Sequence, residues 1–299
     1  MNKEFEEQTK LVLLVLPFID KDIFALKGGT AINFFYQNLP RLSVDIDLTY
    51  LPIEDRETSF KKIHQSLHKL QNELKKRGFE CISDKKLDGN SEVKLIVSKE
   101  KIQIKVEPNF TLRGTVLDPE MRGVSKKISE LYGSTLKVNC LKYEEVYAGK
   151  ICAALDRQHP RDLFDIKLLL EGQGITKKLK DVFLFYLISS ARPFHELLSP
   201  KKQPIKTLFE QKFLGMNFEK ITIEDLDDAY NILVKKLKEF IEENDIELLR
   251  TILQLNPKWH LSKIKNIENY PSIKWRMLNI EKMSEAKRQK ELKELNRYL

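Results

Sequence analysis

Two adjacent glycines and a threonine, Gly28-Gly29-Thr30, are followed after the fourteen residues 31 to 44 by Asp45-Ile46-Asp47, and this arrangement constrains the chain more than any other feature. The loop stands between the apolar run Ile23-Phe24-Ala25-Leu26 and the helix-like run Ala31-Ile32-Asn33-Phe34-Phe35-Tyr36, so it reads as strand, tight loop and helix N-terminus. Glycine lets a backbone approach a ligand closely, and the free N–H groups at the positive end of a helix favour an anion. Lys27, Gly28, Gly29 and Thr30 are therefore candidates to hold a phosphate, with the Thr30 hydroxyl as an added donor.

From Leu42 to Leu48 polar and apolar residues alternate with period two. On a strand this puts Asp45 and Asp47 on one face and Val44, Ile46 and Leu48 on the other. Like charges one pleat apart repel unless a cation lies between them, and hard oxygens left partly open to substrate phosphates are the usual way a protein holds Mg²⁺. Ser43 shares that face, either as a residue beside the metal open to modification or in ordinary packing and hydrogen bonding. A Gly-Gly pair alone is a turn, and a lone Asp-x-Asp is a solvated edge strand. The order and spacing of the two together are much less common by chance.

A chain of 299 residues that is 41% hydrophobic can bury a sizeable core, in one large or two modest domains. Charged residues make up 32%, and the net charge of +8 favours polyanionic partners such as RNA. Cys81, Cys140 and Cys152 are widely spaced with no Cys-x-x-Cys pattern, so neither a disulfide framework nor a zinc site is expected, and a reducing cytoplasm fits. The apolar run Leu11 to Phe18 follows Glu4, Glu6 and Glu7 rather than a basic region and is too short to cross a bilayer. It reads as a buried helix, and no export or membrane span is expected.

Glu54 to Arg77 carries Phe60, Ile63, Leu67, Leu70 and Leu74 at helical spacing, with Gly78 as the stop. His64 and His68 lie four apart on it, without a Glu or Cys to complete a metal pair. Val93 to Val97 and Lys101 to Glu107 read as a hairpin, with Lys101, Gln103, Lys105 and Glu107 on one face and Pro108 ending the strand. Thr111 to Gly133 reads as irregular, and Leu136 to Leu141 as a further strand. The pattern is helical thereafter, so a boundary near Lys142 divides the chain into domains 1–141 and 142–299.

In the helix expected from Tyr143 to Asp156, Lys150 lies at the margin of the apolar stripe, either snorkelling to water or set against phosphate. Pro160 can open the next helix, which brings Asp162 near its positive end and puts Asp162 and Asp165 on one face. Taken alone, this is a capped helix with an internal Arg161–Asp165 ion pair. Leu179 to Ser189 reads as a core helix, Leu226 to Phe240 and Ile246 to Leu255 as an antiparallel pair, and Lys282 to Arg297 as a solvated last helix. Lys201-Lys202, Lys235-Lys236, Lys258, Lys263 and Lys265, with Trp259 or Trp275, read either as a groove for a phosphate backbone or as solvated lysines and core tryptophans.

Gly-Gly followed by Asp-x-Asp resembles the nucleotidyltransferase superfamily of DNA polymerase beta type. Within it, Lys27-Gly28-Gly29-Thr30-Ala31 with Leu39-Pro40-Arg41-Leu42-Ser43-Val44-Asp45-Ile46-Asp47-Leu48 resembles the AbiEii/AbiGii toxin family. So does Lys150-x-x-Ala153 followed by Arg157-x-x-x-Arg161-Asp162-x-x-Asp165, and Tyr270 to Asn279 is similar to the family's closing segment, so the resemblance covers nearly the whole chain. It implies an α/β (α+β) fold, a nucleotidyltransferase-type mixed sheet with flanking helices followed by a mostly helical C-terminal domain that completes the active site. It also implies that Asp45 and Asp47 ligate Mg²⁺, that Lys27, Gly28, Gly29, Thr30, Ser43 and Lys150 lie at the NTP, and that Lys150 and Asp165 are active-site residues supported by Arg157, Arg161 and Asp162. The superfamily carries a third carboxylate on a neighbouring strand. Glu107 is the best positioned candidate, the alternative being an exposed pair with Lys105. The implied activity is transfer of an NMP from an NTP to an acceptor hydroxyl, in relatives the tRNA 3′ end. The implied context is a cytoplasmic type IV toxin–antitoxin or abortive-infection pair with a cognate AbiEi-like antitoxin. The rivals are a non-catalytic RNA- or partner-binding protein on the same fold and a small-molecule nucleotidyltransferase.

Overall fold

A computed structural model describes residues 2–298. The chain divides into two units, the first comprising Met1–Val146 and Leu214–Lys220, the second Tyr147–Phe213 and Ile221–Leu299. The division falls a little beyond the boundary expected near Lys142, and a short later segment returns to the first unit. Backbone hydrogen bonds account for the return: Leu42 N–H donates to the Met216 carbonyl (2.7 Å), Phe218 N–H to Pro40 (3.2 Å) and Asn2 N–H to Gly215 (3.1 Å).

The described residues of the first unit form one seven-stranded mixed sheet. Its strands are β1 (Phe24–Lys27), β2 (Asp45–Tyr50), β3 (Glu80–Ser83), β4 (Leu95–Lys99), β5 (Ile102–Asn109), β6 (Glu120–Gly123) and β7 (Lys137–Cys140), in the order β3-β4-β5-β2-β1-β7-β6. The β1–β2, β3–β4, β4–β5 and β6–β7 pairs are antiparallel, and β2–β5 and β1–β7 are parallel. The helices of this unit are α1 (Lys3–Val15), α2 (Gly28–Ala31), α3 (Arg56–Lys76) and α4 (Lys126–Tyr132). Leu11, Val12 and Val15 of α1 are buried and α1 packs against β5, as the apolar run predicted. The α3 helix starts at Asp55, whose carboxylate accepts from Thr58 N–H, and stops at Gly78 with φ of +78°.

Three elements were not legible in the sequence. The expected irregular stretch from Thr111 to Gly133 contains β6 and α4, and β3 was not expected either. Both strands are the outermost of the sheet, where little side-chain burial is demanded. Ile82 of β3 is 63% exposed, and the one large apolar residue of β6, Met121, is also exposed. An edge strand that buries little carries no alternating signal. Pro108 does not end β5, which runs on to Asn109. Pairing with β4 stops at Leu95↔Val106, so one edge of β5 is unladdered at Pro108 and a residue without an N–H fits there.

The α5 helix (Tyr143–Arg157) contains the division, and the second unit continues with α6 (Pro160–Glu171), α7 (Lys177–Ser189), α8 (Phe194–Leu198), α9 (Lys206–Lys212), α10 (Ile223–Phe240), α11 (Glu243–Leu253), α12 (Pro271–Glu281) and α13 (Glu285–Leu295). Pro160 occupies the first turn of α6, and the His159 imidazole caps it by accepting from Arg161 N–H (3.1 Å). Nearly all of α7 is buried, as expected. The helices α10 and α11 form where the pattern put them but take different main partners. The stripe Leu226, Ala229, Tyr230, Leu233 and Leu237 of α10 packs along α6, while α11 packs against α13. For the same reason α13 is not merely solvated: Leu292 and Leu295 are buried. Trp275 is 42% exposed rather than core. Among the described residues, no helix is long and apolar enough to cross a membrane.

Candidate active site

The register of three adjacent strands builds the site. Lys27 of β1 stands opposite Asp47 of β2, and Asp47 stands opposite Glu107 of β5, so the three share one cross-strand row. Asp45 stands opposite Lys105 in the neighbouring row of the same face. Ile46 and Leu48 are fully buried on the other face, which gives the alternation its energetic basis. Turning β2 by one residue would expose both and bury the two carboxylates.

The glycine loop lies directly against this row. Gly28 opens α2 with φ of +71°, and a Cβ built on it would stand 2.2 Å from Asp47 Oδ2. The absence of a side chain there is what lets loop and carboxylate meet. A Cβ on Gly29 would stand 2.7 Å from Arg41 Nη2 and 3.1 Å from Ser43 Oγ. The Asn33 side-chain amide donates to the Gly29 carbonyl (2.8 Å) and holds the loop from the helical side.

Thr30 and Ser43 are both buried, and their hydroxyls have partners. The Thr30 hydroxyl donates to the Asp45 carbonyl (2.5 Å) and lies 2.9 Å from Ser43 Oγ. The hydroxyl expected to reach phosphate thus fastens the glycine loop to the carboxylate strand, and Ser43 takes the hydrogen-bonding role that was its alternative. Arg41 is buried as well, with Nη1 donating to the Leu42 carbonyl (2.9 Å), and it brings a guanidinium beneath the loop.

The carboxylates feel one another. Burial, then the charges of Asp47 and Asp45, hold the Glu107 carboxyl above its ordinary value, against the opposing pull of Lys105 and Lys94. Lys94 Nζ lies 3.8 Å from Glu107 Oε1. A cavity of about 270 Å³ opens here, lined by Lys27, Asp47, Glu92, Glu107, Asn109 and Thr111 among others. Among the described residues no three His, Cys, Asp or Glu side chains are arranged to enclose a metal. Two hard carboxylates with the remaining positions left to waters and phosphate oxygens is nonetheless a coordination that Mg²⁺ accepts.

Lys150 and Asp165 belong to the second unit, where they form a buried cluster. Lys150 Nζ lies 2.7 Å from Asp162 Oδ1 and 3.1 Å from Asp165 Oδ2, and Arg157 Nε lies 2.6 Å from Asp162 Oδ2. Lys150 is 7% exposed, and both aspartates are more deeply buried. Burial alone would raise the Asp162 carboxyl, but the Lys150 ammonium and the Arg157 guanidinium outweigh it and hold the carboxyl well below the usual range. The lysine neither snorkels to water nor stands bare for a phosphate, since protein carboxylates already balance its charge. Burial raises the Cys81 thiol to about 11 and the Cys140 thiol to about 12, so neither is a nucleophile.

Two residues of the site escaped the sequence reading. Arg41 had a signal, because it shares the parity of Ser43, Asp45 and Asp47 and so the same alternation. Glu92 had none, since it comes from the loop between β3 and β4 and only the fold brings it to the cavity. His64 is buried, and both its ring nitrogens engage that same loop, through Gly89 N–H (3.0 Å) and the Ser91 carbonyl (2.7 Å).

Residues 16–254 match the family described as nucleotidyl transferase AbiEii toxin, Type IV TA system. The segment Tyr270 to Asn279 lies beyond the matched residues. No curated protein matches the sequence. In fold the chain is similar to MenT4, a nucleotidyltransferase toxin from Mycobacterium tuberculosis H37Rv, with a TM-score of 0.60 over 93% of this chain and 92% of that one at 14% identity. The mixed sheet, the glycine loop set against a carboxylate strand and a family match over most of the chain agree, and the chain belongs to the AbiEii nucleotidyltransferase toxins of type IV toxin–antitoxin systems.

Proposed function

We propose that this toxin transfers a nucleoside monophosphate from an NTP to a hydroxyl at the 3′ end of tRNA, with Mg²⁺ as its metal. Membership of the family implies an NTP substrate and an antitoxin partner. The observation that carries the reading is the row Lys27, Asp47, Glu107 with Gly28 pressed against Asp47. RNA as acceptor is supported by the net charge of +8 and by what the family resemblance implies.

In this reading the N–H groups of Gly28 and Gly29 and the Lys27 ammonium receive the triphosphate. Asp45 and Asp47 would hold Mg²⁺, which supplies neutralisation of charge on the α-phosphate and on the departing pyrophosphate. The residues fit such an ion: they are hard, paired on one face, and close enough to a third carboxylate to raise its proton affinity. Glu107 accepts the proton of the attacking hydroxyl. The acceptor oxygen bonds to the α-phosphorus, the bond to the bridging oxygen breaks, and pyrophosphate leaves with that electron pair. Arg41 steadies the loop from below, and Thr30 keeps it tied to β2. Lys150 and Asp165 maintain the α5–α6 cluster, and a Lys150→Gln variant in the same assay asks whether they contribute to the chemistry as well.

The test is incubation with each α-labelled NTP, Mg²⁺ and total tRNA or cell extract, with Asp47→Ala and a chelator as controls. Label on tRNA that disappears with either control supports the proposal. Asp47-dependent label on a small molecule would make the protein a small-molecule transferase, and no Asp47-dependent label anywhere would make it a binding protein.

A further inference from the structure

The helical unit has a cavity of its own, about 650 Å³ in volume, walled by the end of α5, by α8 and its flanking residues, and by the C-terminal half of α13 with the residues after it. That volume lies in the range of small-molecule sites. Its wall presents four cations and three carboxylates, and the carboxylates are already taken. Arg192 Nε lies 2.9 Å from Asp156 Oδ1 and its Nη2 lies 2.9 Å from Glu196 Oε2, while Arg297 Nη1 lies 2.7 Å from Glu294 Oε1. Lys201 and Lys290 are left, and among the described residues neither has a carboxylate partner.

Two further polar side chains on the same wall each have an atom without a partner among the described residues. His195 Nδ1 and the Tyr298 hydroxyl are buried without a hydrogen bond among the described residues. Buried polar atoms without a protein partner are few in folded proteins, and each calls for an explanation. Burial pushes the Tyr298 phenol up to about 12, so at neutral pH it keeps its proton and remains a donor.

The backbone beside the cavity is strained in a way that holds one of the free cations. Gln158 is almost fully buried and adopts a left-handed conformation with φ of +46°, which costs a non-glycine residue roughly 1 to 3 kcal/mol. Its side-chain amide donates to the Lys201 carbonyl (2.8 Å) and accepts from Gln203 N–H (2.8 Å). An amide spent on both sides of an otherwise irregular segment fixes the backbone from which the Lys201 ammonium projects.

We propose that this cavity is a binding site for a phosphate-bearing ligand, with Lys201 and Lys290 supplying the charge and Tyr298 and His195 supplying hydrogen bonds. Compact ammonium groups and protonated donors are the complement of a phosphate, and the wall carries one more cation than carboxylates. The phosphate belongs either to a free nucleotide or to an RNA strand. The site lies within the helical unit, and occupying it requires no transfer activity.

Pyridoxal 5′-phosphate is a direct probe, because its phosphate seeks such a site and its aldehyde condenses with a nearby lysine. The full chain is treated with an equimolar amount, reduced with borohydride and mapped by peptide mass spectrometry. Lys201 or Lys290 is expected to be labelled about tenfold or more above Lys235 and Lys274, which are equally exposed but lie outside this cavity, and that ratio corresponds to about 1.4 kcal/mol of preference. Competition by AMP or pyrophosphate at these two lysines would identify a free nucleotide as the ligand, and competition by a short oligoribonucleotide alone would identify a strand. Labelling no stronger than at Lys235 and Lys274, or labelling that no phosphate compound reduces, would overturn the proposal.

Discussion

Gly28 and Asp47 touch across the loop and the strand: no side chain larger than hydrogen fits at Gly28 without displacing Asp47 Oδ2, which a Cβ would approach to 2.2 Å. Gly28→Ala therefore faces both the left-handed backbone and the carboxylate. It should cost roughly 1 to 3 kcal/mol in a urea melt. By moving Asp47 it should lower labelled-NMP transfer about 100-fold or more. Gly29→Ala meets the end of the Arg41 side chain instead, at 2.7 Å and without a positive φ, so its stability loss should be the smaller of the two.

Asp47→Asn should lower the proton affinity of Glu107. Burial is the largest cause of its elevation and would persist, whereas the next cause, the Asp47 charge, would be gone. Carbon-13 NMR titration of glutamate-labelled protein in the presence of a chelator should find the Glu107 carboxyl titrating at lower pH than in the wild type while remaining above exposed glutamates. If Glu107 is the base, wild-type transfer rises with pH as the carboxyl ionises, since only the carboxylate accepts the proton, and Mg²⁺ held by Asp45 and Asp47 would draw that limb below the metal-free position. A Glu107→Gln variant that keeps the wild-type rate and acid limb would remove Glu107 from that role.

Lys150→Met would leave Asp162 and Asp165 buried with less compensation, and breaking such a pair costs about 3 to 5 kcal/mol. Thermal and denaturant melts should detect a loss of that order. The folded Asp162 carboxyl sits below its unfolded value, so its contribution is complete above about pH 4 and fades as pH falls toward the folded value. Asp162→Asn should accordingly flatten the decline in stability on the acid side of pH 4. An unchanged slope would mean that the cluster does not govern acid unfolding.

His64 fixes the loop that brings Glu92 to the active-site cavity and leads to Lys94. Its Nδ1 accepts from Gly89 N–H while Nε2 faces the Ser91 carbonyl, an arrangement that only the neutral ring protonated at Nε2 satisfies. His64→Ala should cost roughly 1 to 3 kcal/mol through two lost hydrogen bonds. Hydrogen exchange at Gly89 should accelerate, while exchange in β2 should not. Equal protection of Gly89 in variant and wild type would show that the loop is held by something else.

Period-two alternation from Leu42 to Leu48 was enough to assign Asp45 and Asp47 to one face, because burying Ile46 and Leu48 leaves a strand no other choice. Helical spacing was equally sufficient for α3, α5, α7 and α10. Edge strands β3 and β6 escaped because they bury too little to leave a pattern, and the partners of α10 and α11 escaped because a stripe says that a face is buried but not against what. The glycine pair and the aspartates could be read in order along the chain. That Gly28 bears on Asp47, that Glu107 comes into register with Asp47, and that the Thr30 hydroxyl is spent on β2 were decided by strand pairing. Hydrogen-bond register joins residues 20 to 60 positions apart, and no local periodicity encodes it.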